Sequence, residues 1–284
     1  MPSAASENQI LQGHNATEAA KPRQRVLLCT NAGLCSSLAL NSLISNPNIK
    51  VVGVFLSART RTTKGSLLSD IARMIQTSGW HYFFYLALGT AIFNLLRLPG
   101  FLPTTIAIAK SKNLPLKSSK DINQKEIQQW ITGLKPDVIF SCFFNQRLES
   151  STLNLASQSL NLHPALLPAY KGVDPVFYYF LRREQNLGVS LHEMAEEFDT
   201  GVIIRQSTMS PVPNRSVFWH NLELFRLGLK LFDDWVTKPS SSENMLKNNA
   251  ANQAYDSWPS TQEVRKLSAK LWRWKDLFEQ AKRF

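Results

Sequence analysis

The chain has 284 residues, 44% hydrophobic and 19% charged, which is enough apolar material for one large domain and argues against a fibrous or wholly disordered class. Its net charge of +11 is uneven: residues 1–120 hold 13 Lys and Arg against 3 Asp and Glu, residues 121–208 hold 7 against 10, and residues 209–284 hold 12 against 8. The basic N-terminal section fits an anionic partner such as a phosphate-bearing substrate, RNA or a lipid surface, or simply a solvated basic surface. Cys29, Cys35 and Cys142 show no paired or metal-like spacing, which argues against a disulfide framework and a zinc site and points to a reducing, cytoplasmic setting.

Residues 1–23 are polar and lack an apolar core of the signal-peptide kind, so a disordered start is expected there. "RVLLCT" (25–30) reads as a strand, "SSLALNSLI" as a helix and "KVVGVFL" (50–56) as a second strand, a β-α-β unit. The basic "ARTRTTKG" (58–65) follows. Next comes "WHYFFYLALGTAIFNLLRLPGFLPTTIAIA" (80–109), the centre of an apolar helical insertion at about 66–110. Its unbroken apolar run is about 15 residues, short of the ~20 needed to span a bilayer. Three readings stay open for it: a core helix, a homodimer interface, or a peripheral membrane patch at the inner face, with Lys110, Lys112, Lys117 and Lys120 meeting lipid phosphates.

Beyond it, "QKEIQQWITGL" has the spacing of an amphipathic helix, "DVIFSCFF" (137–144) of a buried strand, "ESSTLNLAS" of a helix and "SLNLH" of another strand. "GVSLHEM" and "GVIIRQSTM" give two more strands, and "SVFWHNLELFRLGLKLFDDWV" a long helix. Strands apolar on both faces and alternating with helices predict an α/β, Rossmann-like, mostly parallel sheet flanked by helices. The catalytic domain is expected over 24–208, with a short helical C-terminal extension over 209–284.

Ligands of such sheets sit beyond the carboxyl ends of the strands, where "NLHPALLPAYKG" (161–172) falls. Side chains alternate along a strand, so Asn161 and His163 share a face while Leu162 turns to the core. Pro164 and Pro168 stiffen the exit, and Gly172 permits a tight turn or a close backbone approach. Asp199, in the loop "EEFDTG", is placed to reach His163 and hold its tautomer. An amide donor, an imidazole and a carboxylate suit stabilising an oxyanion while a proton moves, with the nucleophile supplied by a substrate. Taken alone, Asn161 reads as a turn cap and His163 as a satisfied core histidine; together with Asp199 they read as catalytic. His192 is open between a structural and a site role, and His14, His81 and His220 have no context.

Asn161, His163, "LLP" (166–168), Tyr170, Gly172, and Asp199 with Gly201 together resemble the folate-dependent formyltransferase family, over roughly residues 24–208. The resemblance implies 10-formyltetrahydrofolate as formyl donor and no metal. Asn161 and His163 would stabilise the oxyanion, with Asp199 orienting His163. Phe144, Asn145, Gln146, Leu148, Glu197 and Phe198 would lie against the pterin, and Tyr170, Lys171 and Gly172 on the acceptor. The acceptor implied is a small-molecule amine, for example a phosphate-bearing, nucleotide-linked amino sugar. A tRNA ranks behind, because only 76 residues follow position 208. Water as acceptor, making a hydrolase, and a non-catalytic folate-binding protein are the alternatives. Departures from the family pattern are Asn145 and Gln146 where many members carry glycine, and the unfamiliar segment 62–110.

Overall fold

The computed structural model describes residues 22–59, 67–92, 103–238, 246–248 and 255–283. The expected disordered start falls outside these residues over 1–21, as do most of "ARTRTTKG" and residues 93–102 of the apolar stretch.

Strands β1 (Gln24–Asn31), β2 (Ile49–Ser57), β3 (Leu116–Ser119), β4 (Val138–Cys142), β5 (Gln158–His163), β6 (Leu187–Glu193) and β7 (Ile203–Met209) form one sheet in the order β3-β2-β1-β4-β5-β6-β7. Pairings from β3 through β5 are parallel, and β6 and β7 run antiparallel at the far edge. Val26, Leu27, Leu28 and Cys29 of β1 are all inaccessible to solvent, so both faces of the central strand are covered. That is why it reads as a continuous apolar run rather than an alternation.

One face carries α1 (Leu34–Ser45), a short helix α7 (Pro175–Arg182) and the long helix α8 (Val217–Thr237). Phe232 of α8 stacks on Phe140 of β4 with ring centroids 4.0 Å apart. The other face is closed by α5 (Lys125–Leu134), whose Ile127 and Ile131 pack with Leu27, Phe55 and Ile139. The segment after residue 208 is therefore built into the same core as the strands, through α8.

Three elements depart from the sequence reading. Strand β4 stops at Cys142 rather than running to residue 144, because Phe143 takes a left-handed backbone (φ 56°) that no strand continues. The helix expected over 149–157 is one turn, α6 (Ser150–Leu153). The edge strand β3 has no alternating apolar signature and went unread. In the insertion, α2 (Leu67–Ser78) precedes α3 (Trp80–Ala87), which passes into a π-helical turn (Leu88–Ile92); α4 (Thr105–Ser111) follows the undescribed residues. Tyr82 and Tyr85 face the core, with the Tyr82 ring edge-on to Phe177 at 5.6 Å, while Trp80 is exposed. Among the described residues no helix is long and apolar enough to cross a membrane.

Candidate active site

Strand β5 delivers Asn161 and His163 to the carboxyl edge of the sheet, with Leu162 between them buried against the core. The Asn161 Nδ2 lies 2.9 Å from His192 Nε2. An amide nitrogen has only hydrogens to offer, so Asn161 donates and His192 Nε2 accepts. The other ring nitrogen, Nδ1, lies 2.7 Å from the Glu193 carbonyl and must carry the proton. His192 is thereby fixed as a neutral Nδ1–H tautomer. Burial pushes its pKa down to about 4, with the nearby Asp199 carboxylate opposing and the His163 ring adding to the shift. The 3.8 Å between His192 Nε2 and Asp199 Oδ1 is accordingly a proximity and not an ion pair.

His163, 6% exposed, donates from Nε2 to the Tyr170 carbonyl at 3.0 Å. Its Nδ1 faces Asp199 Oδ1 at 3.5 Å. Two acceptors thus flank the two ring nitrogens, so an imidazolium formed here has a partner for each N–H. The sequence reading gave the orienting role to Asp199 alone; in the structure the Tyr170 carbonyl shares it, because Tyr170 takes a left-handed backbone (φ 55°) that turns this carbonyl onto the ring.

The loops that aim these groups are tied down by backbone contacts. After β5, Leu166 N donates to the Tyr179 hydroxyl at 2.8 Å and Leu167 N to Ser190 Oγ at 3.0 Å, and the Leu167–Pro168 peptide is cis. Gly172 (φ 137°) pairs with Asp256, whose carbonyl lies 2.1 Å from where a Cβ would stand, so the close approach needs glycine. Asp199, itself left-handed (φ 58°), is held through its carbonyl by Asn248 Nδ2 at 2.9 Å.

A cleft of about 510 Å³ opens over these residues. One end runs between Phe144–Leu148 and Met194, Glu197 and Phe198; the other lies among α1, α3 and α8. The residues expected against a pterin all line the first end, though they differ in freedom. Gln146, 3% exposed, receives the Ile122 N–H at 2.7 Å and donates to Ser57 Oγ and the Ser119 carbonyl. Asn145 receives the Ser57 hydroxyl at 2.6 Å and donates to the Arg59 carbonyl. Both amides pin the wall in place. Leu148 is buried, whereas Glu197 and Phe198 are exposed. Of the trio expected on the acceptor, Gly172 lines the cleft. Tyr170 and Lys171 lie outside its lining: the Tyr170 hydroxyl donates to Glu184 and its ring lies 4.1 Å from that of Tyr179. Among the described residues no cluster of His, Cys, Asp or Glu is placed to hold a metal.

Asp174 and Tyr85 are cleft residues that the sequence reading passed over. Asp174 caps α7 by accepting from Phe177 N, and it also accepts from the Tyr82 hydroxyl at 2.8 Å. The Asp-Pro pair opening α7 is the signal that marks such a cap. For Tyr85 the signal was weaker, the Tyr82/Tyr85 spacing that places both rings on one helix face.

A sequence model described as Formyl transferase matches residues 98–217. The methionyl-tRNA formyltransferase of Thermotoga maritima is 27% identical over 154 residues, 54% of this chain and 49% of that protein. The chain thus spans about half the length of this curated relative. Among solved structures, a sugar N-formyltransferase from Shewanella aligns over 82% of this chain and 76% of its own, at 14% identity and a TM-score of 0.51. The phosphoribosylglycinamide formyltransferase of Bacillus halodurans aligns over 78% of this chain and 97% of its own, at 14% identity and a TM-score of 0.52. At such identities these two establish the shared fold.

Proposed function

We propose, for a chain whose residues 98–217 belong to the formyl transferase family, the transfer of a formyl group from 10-formyltetrahydrofolate to an amine. The observation that carries it is the meeting of Asn161, His163, His192 and Asp199 at the carboxyl edge of β5, inside one cleft. The phenylalanine-walled end between Phe144 and Phe198 is of a kind to take a flat heterocycle, with the Asn145 and Gln146 amides holding that wall rigid. When bound, the donor supplies an activated formyl carbon attached to nitrogen.

The chain's own residues then have distinct tasks. Asn161 has two amide hydrogens; one is committed to His192, and the second serves the negative charge that develops on the formyl oxygen. His192, kept neutral, acts as a positioning residue for that amide. Asp199, 8% exposed and within 3.5 Å of His163, receives the proton the attacking amine must lose. His163, set between the Tyr170 carbonyl and the Asp199 carboxylate, is oriented by both. The balance is one C–N bond formed, one C–N bond broken, and one proton passed from the amine to the departing nitrogen.

The test follows tetrahydrofolate release and N-formyl product by mass spectrometry, with and without amines. Asn161→Ala is expected to lower turnover by about a hundredfold or more, the usual effect of losing an oxyanion donor, with the circular dichroism unchanged. Wild-type turnover in that variant would remove the assignment. Release with no amine present would make water the acceptor.

A further inference from the structure

Helix α3 divides its aromatic residues between two sides. Tyr82 and Tyr85 are buried, whereas Trp80 is 57% exposed and Phe84 half-buried. The Phe84 ring lies 5.7 Å from Trp80 and, across to the C-terminal segment, 5.3 Å from Trp272, which in turn lies 5.1 Å from Trp274. Trp274 opens helix α9 (Trp274–Lys282), and Phe278, four residues on, shares its face. Trp274 and Phe278 are 59% and 58% exposed. Two segments far apart in the chain thus build one aromatic ridge on the surface.

The charge around the ridge is predominantly of one sign. Residues 265–280 hold Arg265, Lys266, Lys270, Arg273 and Lys275 against Asp276 and Glu279. Both acids turn toward the start of α8: Asp276 is buried against Ser216 and Arg215, and Glu279 pairs with Arg215 at 2.6 Å. Arg265, Lys266, Lys270 and Lys275 are exposed. On α9 the inward residues are Asp276, Leu277 and Gln280, so Lys275 stands on the outer side with Trp274 and Phe278. Exposed tryptophan and phenylalanine beside lysine and arginine are the composition that settles at the boundary of lipid headgroups and acyl chains. Neighbouring rings of the ridge cross at 47°, 53° and 82°, so they do not form the row of parallel faces on which successive nucleic-acid bases stack. A second copy meeting this face across a two-fold axis would set its basic residues against the same basic residues.

We propose that this ridge docks the protein on a bilayer carrying anionic lipid, with Trp80, Trp274 and Phe278 entering the headgroup boundary and Lys270 and Lys275 meeting lipid phosphates. Tyr85 of α3 lines the cleft, so the docked face and the candidate active site share one helix. Docking does not depend on formyl transfer and is measured apart from it.

The test sediments the full chain with vesicles of phosphatidylcholine, alone or mixed with an equal part of phosphatidylglycerol. Binding is expected to the anionic vesicles only, and to fall as salt is raised. Trp274→Ser combined with Phe278→Ser, both at exposed positions, is expected to weaken it by about tenfold or more with the circular dichroism unchanged. Lys270→Gln combined with Lys275→Gln is expected to weaken it and to flatten its salt dependence, and decides the matter if the aromatic variant does not fold. Brominated lipid is expected to quench the tryptophan fluorescence of the wild type and to quench Trp274→Ser less. No binding, equal binding to both vesicle types, or wild-type binding by the variants would overturn the proposal. So would a wild-type dimer on size exclusion that the aromatic variant splits, which would assign the ridge to a second copy, or retention of single-stranded RNA without vesicle binding, which would assign it to nucleic acid.

Discussion

His192 shows how one residue's environment sets its role. A histidine whose native pKa is depressed refuses a proton that the unfolded chain accepts. Stability is therefore full above the ordinary value near 6.5 and is lost as the pH falls from there toward about 4, below which the loss is complete. The drop is expected to reach about 3 kcal/mol, from the 1.36 kcal/mol per pH unit of linkage. His220 is also buried and depressed and contributes with the same sign, so the comparison must be a difference. Chemical denaturation of wild type and His192→Gln at pH 7, 5.5 and 4.5 should show the wild type losing more over that range; parallel losses would mean that His192 titrates normally. Asp199→Asn keeps the side chain's shape while removing the proton acceptor, and is expected to lower kcat about a hundredfold, with KM for the donor little changed. An unaltered kcat would move the proton to another group.

Among the elements, the loop from β6 to β7 is the one on which the site depends. Gly201 lies so close to the end of β6 that a Cβ there would stand 1.9 Å from the Glu193 carbonyl oxygen. A backbone atom cannot swing aside as a side chain can, so Gly201→Ala must displace the loop that carries Asp199. The expected result is a stability loss of about 1–3 kcal/mol and at least a tenfold fall in turnover. Full activity with native thermal stability would show that the loop has slack. The alternation along β5, with Leu162 buried between two site residues, was legible in the sequence, as were β1, β2 and the long helix α8. The end of β4 was not, since apolar residues continue to Phe144 and only the left-handed Phe143 stops the strand. Nor was the fate of the apolar stretch: Tyr82 of α3 packs on Phe177 in the core while Tyr85 and Leu86 line the cleft, a placement decided by what lies opposite them.

At the scale of the molecule, the C-terminal residues fasten the layer that α8 forms over the sheet. Asp276 of α9 (Trp274–Lys282) accepts from Ser216 N at 2.8 Å, at the start of α8, and from Arg215 Nη1 at 2.9 Å. Asp276→Ala removes a buried carboxylate from three donors, counting the Ser216 hydroxyl, and is expected to cost about 3 kcal/mol in urea denaturation. A loss below about 0.5 kcal/mol would show that α9 is only laid on the surface. The sequence by itself determined the α/β class, because strands buried on both faces must be apolar throughout. It also determined the convergence of Asn161 and His163, because strand periodicity is local. Only the tertiary structure decided which partner each ring nitrogen has, that His192 holds Asn161, and that Asp174, Asn31 and Asn221 line the same cleft. These depend on distances between residues far apart in the chain, which no local pattern encodes.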